Sequence, residues 1–237
     1  MPPPDRRPAA RTSLEAHADA DAPLDAGPFG AWLDGMAGAL AGGRESDVPC
    51  GGCTGCCTSS QFVHVGPDEV DTLARIPKAL RFPAPGLPAG HVLLGYDERG
   101  HCPMLDDGAC SIYEHRPRTC RTYDCRVFPA AGVEPDDEGK AAIATRVRRW
   151  RFAHPDPGDE ARHEAVRAAA AYLRRRAGEL PDALRPRTPT QLAVLAVEAH
   201  GAFLPGPGHA AEVEGVETAP ADPEPAAVLV HIARRTP

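Results

Sequence analysis

Apolar residues recur at helical spacing in three parts of the chain. The first part predicts a short amphipathic helix from about Pro28 to Leu40, with apolar positions at Phe29, Trp32, Leu33, Met36 and Leu40. An alanine-rich stretch predicts a longer helix from Asp159 to Leu180. Thr188–Gln191 has the pattern of a capping box with proline at the first helical position, and predicts a third helix that runs to about Phe203.

Short strands are predicted between these helices. Gln61–Val65, Val92–Leu94 and the segment at Cys102 have the pattern of strands, and the last two would be joined by a hairpin turn at Asp97–Gly100. Asp107–Gly108 is a second turn signal. That turn would bring Cys102 and Cys110 back to the same end of a hairpin.

Three segments carry weaker helical signals. Gly66–Glu69 has the pattern of a helix start, and the buried stripe of that helix would be formed by Val70, Leu73 and Ala74. Pro117 would open a helix that carries Cys120, with Cys125 just past its end. Lys140–Phe152 fits either a helix or a strand.

Both ends of the chain lack the apolar residues that a packed core requires. Residues 1–27 are rich in Pro, Ala and Asp, and residues 204–237 in Pro, Gly and Glu, so we predict disordered tails at both ends. The apolar segment Ala226–Ile232 could dock back on the core. The predicted fold class is α+β: a domain over 28–203, with a small irregular cysteine-rich metal-binding core at 50–125 and a helical part at 139–203.

All eight cysteines fall in one segment, with none in the 49 residues before it or the 112 residues after it: Cys50, Cys53, Cys56, Cys57, Cys102, Cys110, Cys120 and Cys125. Such a cluster indicates either a disulfide framework or a metal site. The N-terminus lacks the apolar stretch of a secretory leader, and no apolar run is long enough to cross a bilayer. We therefore expect a cytoplasmic protein without a membrane segment, whose reduced thiols bind metal.

The spacing of the first four cysteines indicates more than one centre. In the run Cys50-x2-Cys53-x2-Cys56, each C-x-x-C pair can turn tightly and aim two sulfur atoms at one point, helped by the intervening glycines. Neighbouring side chains in extended backbone point to opposite sides, so Cys56 and Cys57 should not share one centre. The run therefore indicates either two metal centres or one thiol that binds no metal.

Two cofactors fit these thiols. Four thiolates suit a tetrahedral Zn²⁺, and eight would build two such sites. A C-x2-C-x2-C run with a remote Cys-Pro is typical of a [4Fe–4S] cluster, which predicts one centre from Cys50, Cys53, Cys56 and Cys102 and a second from Cys57, Cys110, Cys120 and Cys125. Thiolate softness suits both, and we favour the iron–sulfur cluster. The nearby His64, His101 and His115 are expected to lie outside the ligand sets.

Charge argues against a dedicated nucleic-acid binder. The chain holds 26 Lys and Arg against 33 Asp and Glu, a net charge of −7. Basic residues concentrate between 140 and 187, most densely at Arg174–Arg176. We interpret them as a solvated helix face, with an anion or RNA surface as the alternative. The Ala-, Pro- and Arg-rich composition is typical of a GC-rich, and so bacterial, genome.

The cysteine segment resembles a known family. The run C-x-x-C-x-x-C-C, then Cys102-Pro103-x-Leu105, then C-x-I-Y-x-x-R-P-x-x-C-R from Cys110 to Arg121 and a final Cys125 are similar to the CxxCxxCC, or YkgJ-like, cysteine-cluster family of zinc- or iron-chelating domains. The resemblance spans residues 50–125. Tyr123–Asp124 departs from it, because Phe-Pro is expected there, and this affects local geometry.

The resemblance implies a metal-binding protein that holds an iron–sulfur cluster or zinc, in a redox or catalytic role. Arg116 and Arg121 lie within the motif and are expected at the cofactor, where they would offset thiolate charge or donate hydrogen bonds to sulfur. One alternative is a structural zinc module that binds a protein partner. Another is a protein methyltransferase, since a flagellin lysine N-methylase shares the cysteine motif. The chain has no Gly-rich nucleotide loop after a strand, so enzyme class and substrate stay open.

Overall fold

A computed structural model describes residues 22–46, 48–135, 138–204 and 222–233. The α+β prediction is confirmed, with eight α-helices and seven short strands over the described residues. The helices are α1 Phe29–Leu40, α2 Val70–Arg75, α3 Arg118–Thr122, α4 Val127–Ala131, α5 Ala141–Val147, α6 Pro157–Arg175, α7 Pro189–Ala199 and α8 Pro225–Ala233. The strands are β1 Leu24–Pro28, β2 Val63–Val65, β3 Arg81–Pro83, β4 Val92–Leu94, β5 Leu105–Asp106, β6 Ala109–Cys110 and β7 Trp150–Ala153.

The larger hydrophobic core is helical. Helix α6 packs against α4 and α7, and α1 packs against α6. The largest side chains in this core include Phe29, Phe128 and Tyr172, none more than 2% exposed. The predicted helix at 28–40 is confirmed as α1, because its apolar positions at helical spacing form one buried face.

Strand β1 begins inside the segment predicted to be a tail. Leu24–Pro28 pairs in parallel with β7, so the described fold includes residues that the sequence assigned to the disordered tail of 1–27. The strand is stabilised by a partner more than 100 residues away rather than by its own composition, which is why local composition did not reveal it. Residues 1–21 of the predicted tail lie outside the described residues.

A second, smaller core underlies the cysteine-rich segment. It is formed by Val65, Ile76, Leu94, Met104 and Ile112. Strands β2, β4 and β3 form an antiparallel sheet in that order, and β5 and β6 form a hairpin. The turn predicted at Asp107–Gly108 is confirmed, and both residues have positive φ (45° and 73°). The strand predicted at Cys102 is wrong: the backbone there is irregular, and β5 begins at Leu105.

The stripe predicted for α2 is also wrong in part. Val70 is 67% exposed and Ala74 is exposed, whereas Thr72 is buried. The helix has only six residues, and Glu69 just before it turns its carboxylate inward to accept hydrogen bonds from two backbone N–H groups, those of Gly66 (2.8 Å) and Arg118 (2.5 Å). These bonds set which face of α2 is buried.

The C-terminal part combines several predicted features. The ambiguous segment at 140–152 contains both alternatives, α5 and the start of β7. Thr188 caps α7 by accepting a hydrogen bond from the backbone N–H of Gln191 (3.2 Å). The apolar segment of the predicted C-terminal tail does dock: Val228 and Ile232 of α8 are buried in the helical core. No described helix is both long and apolar enough to cross a membrane.

Candidate metal centre

All eight cysteines are free and lie in four parts of the fold. Four precede β2 in a turn-rich segment, Cys102 precedes β5, Cys110 ends β6, and Cys120 lies in α3. Cys125 lies between α3 and α4 and is buried in the helical core. Cys102 and Cys110 pack instead against the smaller core. The two cores therefore each carry cysteines.

Backbone turns shape the first cysteine run. The backbone N–H of Cys53 donates to the carbonyl of Cys50 (3.1 Å), and the N–H of Gly55 reaches the sulfur of Cys53 (3.4 Å). A Cβ atom at Gly55 would lie 3.4 Å from the carbonyl oxygen of Ala142 and 3.4 Å from that sulfur. A residue without a side chain at this position lets the backbone approach the thiol closely.

Cys50, Cys53, Cys56 and Cys125 form one set of interacting thiols, here called group A. Burial raises the pKa of Cys56, and the charges of Cys125, Cys50 and Cys53 raise it further, in that order. Burial also raises the pKa of Cys125 to about 11; a hydrogen bond from Trp150 lowers it, and the charges of Cys50 and Cys53 raise it. Such effects require the sulfur atoms to lie near one another.

The remaining thiols, Cys57, Cys102, Cys110 and Cys120, form group B. The pKa of Cys57 is raised to about 11, and burial is the largest cause. The charges of Cys102 and Cys110 raise it next, and those of two thiols in group A raise it more weakly. The pKa of Cys120 is raised to about 12, chiefly by burial and then by the charges of Cys102, Cys57 and Cys110. Although Cys120 is exposed, the atoms around it desolvate its thiolate. Groups A and B are therefore neighbours that meet at Cys56–Cys57.

These groups exchange two cysteines relative to the grouping drawn from the sequence. Cys102 lies with Cys57, because its backbone N–H donates to the carbonyl of Cys57 (2.7 Å). Cys125 joins group A, where Trp150 Nε1 donates to its sulfur (3.2 Å). The Cys102-Pro103 pair is therefore joined to the segment after the C-x2-C-x2-C run through the backbone of Cys57.

The thiols are close but not yet arranged around a common point. Within the described ranges, no three His, Cys, Asp or Glu side chains are gathered in a geometry that would hold a metal ion. Groups A and B are thus defined by their mutual electrostatic effects. Ligation by four sulfur atoms would require each group to converge further.

Arg146 and Trp150 support group A, and sequence analysis did not single them out. Arg146 Nη2 donates to the carbonyls of Pro49 (3.1 Å) and Cys50 (3.2 Å), and its guanidinium lies over the ring of Trp150, 4.8 Å from the centroid. Burial and the charge of Cys53 raise the pKa of Cys50, and the charge of Arg146 lowers it by a smaller amount. Arg146 lies in α5 and Trp150 begins β7, so no local sequence pattern marks them as a pair.

A buried carboxylate holds the backbone next to Cys125. Asp124 is 2% exposed and accepts hydrogen bonds from Trp32 Nε1 (2.9 Å) and Ser46 Oγ (3.0 Å). It also forms an ion pair with the buried Arg126 (2.8 Å). At Tyr123–Asp124, where the chain departs from the family pattern, the buried Asp124 therefore joins several parts of the fold beside a thiol of group A.

The two arginines predicted at the cofactor differ in their surroundings. Arg116 lies over the ring of Tyr113 (4.2 Å to the centroid), and its charge lowers the pKa of Cys120, against the larger effect of burial. Arg121 pairs instead with carboxylates, at 2.7 Å from Glu45 and 3.8 Å from Glu69. Arg116 thus lies where it can offset thiolate charge, whereas Arg121 joins α3 to the preceding loops.

The nearby histidines have other partners. His64 stacks on His91, and their ring nitrogens lie 2.9 Å apart. The backbone N–H of His101 donates to Asp97 (2.8 Å), and His115 lies in a 3-10 turn.

Comparison with known families agrees with this site. Residues 49–143 match the CxxCxxCC family model. The description of that family is "Putative zinc- or iron-chelating domain". The match confirms the resemblance inferred from the motifs, includes all eight cysteines and extends into α5. No curated protein and no solved structure matches the chain. The CxxCxxCC match supports zinc or iron chelation by this segment.

Proposed function

We propose that the CxxCxxCC segment binds two metal centres, one through group A and one through group B. The observation that supports this proposal is that eight free thiols lie near one another, with the strongest mutual pKa effects within two sets of four. Four thiolates complete the coordination of a zinc ion or of a [4Fe–4S] cluster. Adjacent Cys56 and Cys57 would then serve different centres.

The surroundings of the thiols suit metal-bound thiolates. Backbone or indole N–H groups point at the sulfur atoms of Cys53 and Cys125. The positive charges of Arg146 and Arg116 act on Cys50 and Cys120 respectively. Hydrogen bonds to sulfur and nearby cations both stabilise thiolate ligands. A bound metal ion would neutralise the repulsion among the four thiolates of its group.

Metal binding in this arrangement should hold the fold together. Group A includes Cys125 of the helical core, and group B includes two thiols that pack on the smaller core. Ligation would fix the loops that carry these cysteines, so that the free energy of metal binding becomes free energy of folding. We therefore expect a chelator to lower the melting temperature of the full chain sharply.

The ligand spacings favour different metals at the two centres. Group A draws three ligands from the C-x2-C-x2-C run and one from a distant part of the chain, which is typical of a [4Fe–4S] cluster. Group B draws its four ligands from separate segments, and four thiolates around one ion are typical of structural zinc. Zinc at both centres is the alternative. The remote Cys-Pro pair that is typical of a [4Fe–4S] cluster, Cys102-Pro103, belongs to group B and so does not support a cluster at group A.

Elemental analysis of the full chain, purified without oxygen, tests this proposal. We expect about four iron, about four sulfide and about one zinc per chain, with broad absorption near ~400 nm. A colourless protein with about two zinc ions would replace the iron–sulfur assignment with two structural zinc sites. Protein without bound metal, or with native disulfides, would contradict the proposed function.

A further inference from the structure

A recess of about 450 Å³ lies beside group A and is lined by the loop after α4, by β7 and by α6. Its volume falls within the ~300–1,000 Å³ of small-molecule pockets. The metal centres proposed above do not use it. Its three arginines come from the region between 140 and 187, in which basic residues are concentrated.

The lining is strongly cationic. Three arginines line the recess, namely Arg148, Arg151 and Arg167, and Glu134 is the acidic residue among the described lining residues. With the histidines neutral, the described lining thus carries a net charge of +2. Buried or partly enclosed cationic groups of this kind attract anions.

The arginines are largely free of carboxylate partners. Arg148 is 3.9 Å from Glu134 at its closest approach, and both side chains are more than half exposed. Arg151 Nη1 donates to the carbonyls of Arg148 (2.7 Å) and Trp150 (2.8 Å), which fixes its guanidinium while leaving other N–H groups available. Arg167 is exposed and has no ion pair with any described residue. The positive charge is therefore not cancelled within the described fold.

A histidine pair, with His163 buried and His154 exposed, lines one side of the recess. His163 is 8% exposed and stacks on His154, and their ring nitrogens lie 2.9 Å apart. His163 Nε2 is buried without a hydrogen-bond partner, although the carbonyls of Pro129 and Ala130 lie near enough to affect its pKa. A buried polar group of this kind normally has a partner. The recess thus offers a polar wall as well as cations.

We propose that this recess binds a small ligand through its phosphate group. A phosphate monoester carries close to two negative charges at neutral pH, which matches the net charge of the lining. Guanidinium groups bind phosphate oxygens in a bidentate geometry. The small volume of the recess, about 450 Å³, favours a small molecule over RNA, whose backbone is followed by extended basic surfaces.

The ligand would lie next to the proposed metal centre. Trp150 lines the recess and its indole N–H donates to Cys125 of group A. Binding in the recess can therefore affect group A through the Trp150 side chain. The proposed ligand site would thus adjoin whichever metal centre group A holds.

Isothermal titration of the full chain, as purified with its metal, tests the proposal. The probes are inorganic phosphate, AMP and adenosine, compared across wild type, Arg167→Gln and a control, Arg174→Gln. The control removes the same charge from the same helix, about 10 Å further along it and outside the lining. We expect phosphate or AMP to bind and adenosine not to. Arg167→Gln should weaken binding about tenfold or more, and Arg174→Gln should leave it unchanged.

Three results would overturn the proposal. They are the absence of binding by both phosphate and AMP up to about 1 mM, an equal effect of Arg167→Gln and Arg174→Gln, and tighter binding of a short RNA with steep salt dependence. Melting temperature and metal content are measured on each variant. If Arg167→Gln alters either of them, Arg148→Gln, at a side chain that is 59% exposed, replaces it in the same comparison. Failure of metal binding would leave the binding of phosphate by the recess separately measurable.

Discussion

Replacing Asp124 with alanine should destabilise the protein more than removing any exposed carboxylate. The side chain is 2% exposed and accepts hydrogen bonds from Trp32 and Ser46 while pairing with Arg126. Arg126 is itself only 8% exposed, so Asp124→Ala removes a carboxylate that stabilises a buried cation. Breaking a buried pair in this way costs about 3–5 kcal/mol. That is a large share of the roughly 5–15 kcal/mol that stabilises a typical domain.

A matched surface pair provides the control. Asp34 pairs with Arg162 across α1 and α6, and its side chain is 71% exposed, so Asp34→Ala should cost about 0–1 kcal/mol. The free energy of unfolding of each variant is measured by urea denaturation of the full chain with metal in excess. The double variant Asp124→Ala/Arg126→Met should recover part of the loss, because it also removes the buried cation that Asp124 stabilises. Equal small losses for Asp124→Ala and Asp34→Ala would refute the reasoning.

Three further predictions concern packing and pH. Gly30→Ala should destabilise the chain, because the new Cβ would lie 2.2 Å from Asp159 Oδ1. Gly35→Ala has open space around it and should stabilise α1 by up to about 1 kcal/mol. Thermal unfolding compares the two variants. Burial and the charge of Arg167 lower the pKa of His163 to about 4, so stability should fall as pH falls from about 6.5 through 4, and a flat profile of urea midpoints would contradict this. In metal-free protein, burial and neighbouring thiolates raise the pKa of Cys120 to about 12, so stability should decrease as pH rises above about 9, and an increase over that range would argue against a buried thiol.

Local pattern was enough to predict α1, the start of α7 and the hairpin turn. The apolar spacing of α1, the capping residue Thr188 and the Asp107–Gly108 turn each act within a few residues, so sequence alone reveals them. β1 could not be predicted in this way, because its hydrogen bonds go to β7, far along the chain. The exposed face of α2 was missed because the hydrogen bonds of Glu69 override the apolar pattern.

The candidate site shows the same division between local and tertiary information. The prediction of separate directions for Cys56 and Cys57 assumed extended backbone, whereas the structure places both residues in a turn. The cysteine spacing could not show which distant thiol joins each group. That choice depends on the hydrogen bond between Cys102 and Cys57 and on the burial of Cys125 against Trp150. Only the three-dimensional fold provides these contacts.

The division into groups A and B is tested most directly by removing one cysteine from each group and measuring the metal that remains. The account predicts that Cys125→Ser loses the same metal as Cys53→Ser, whereas Cys102→Ser loses the same metal as Cys120→Ser. Full-length variants are purified without oxygen, and iron, sulfide and zinc per chain are compared with wild type. Loss of the same centre by Cys102→Ser and Cys53→Ser, with Cys125→Ser affecting the other, would contradict the proposed pair of metal centres.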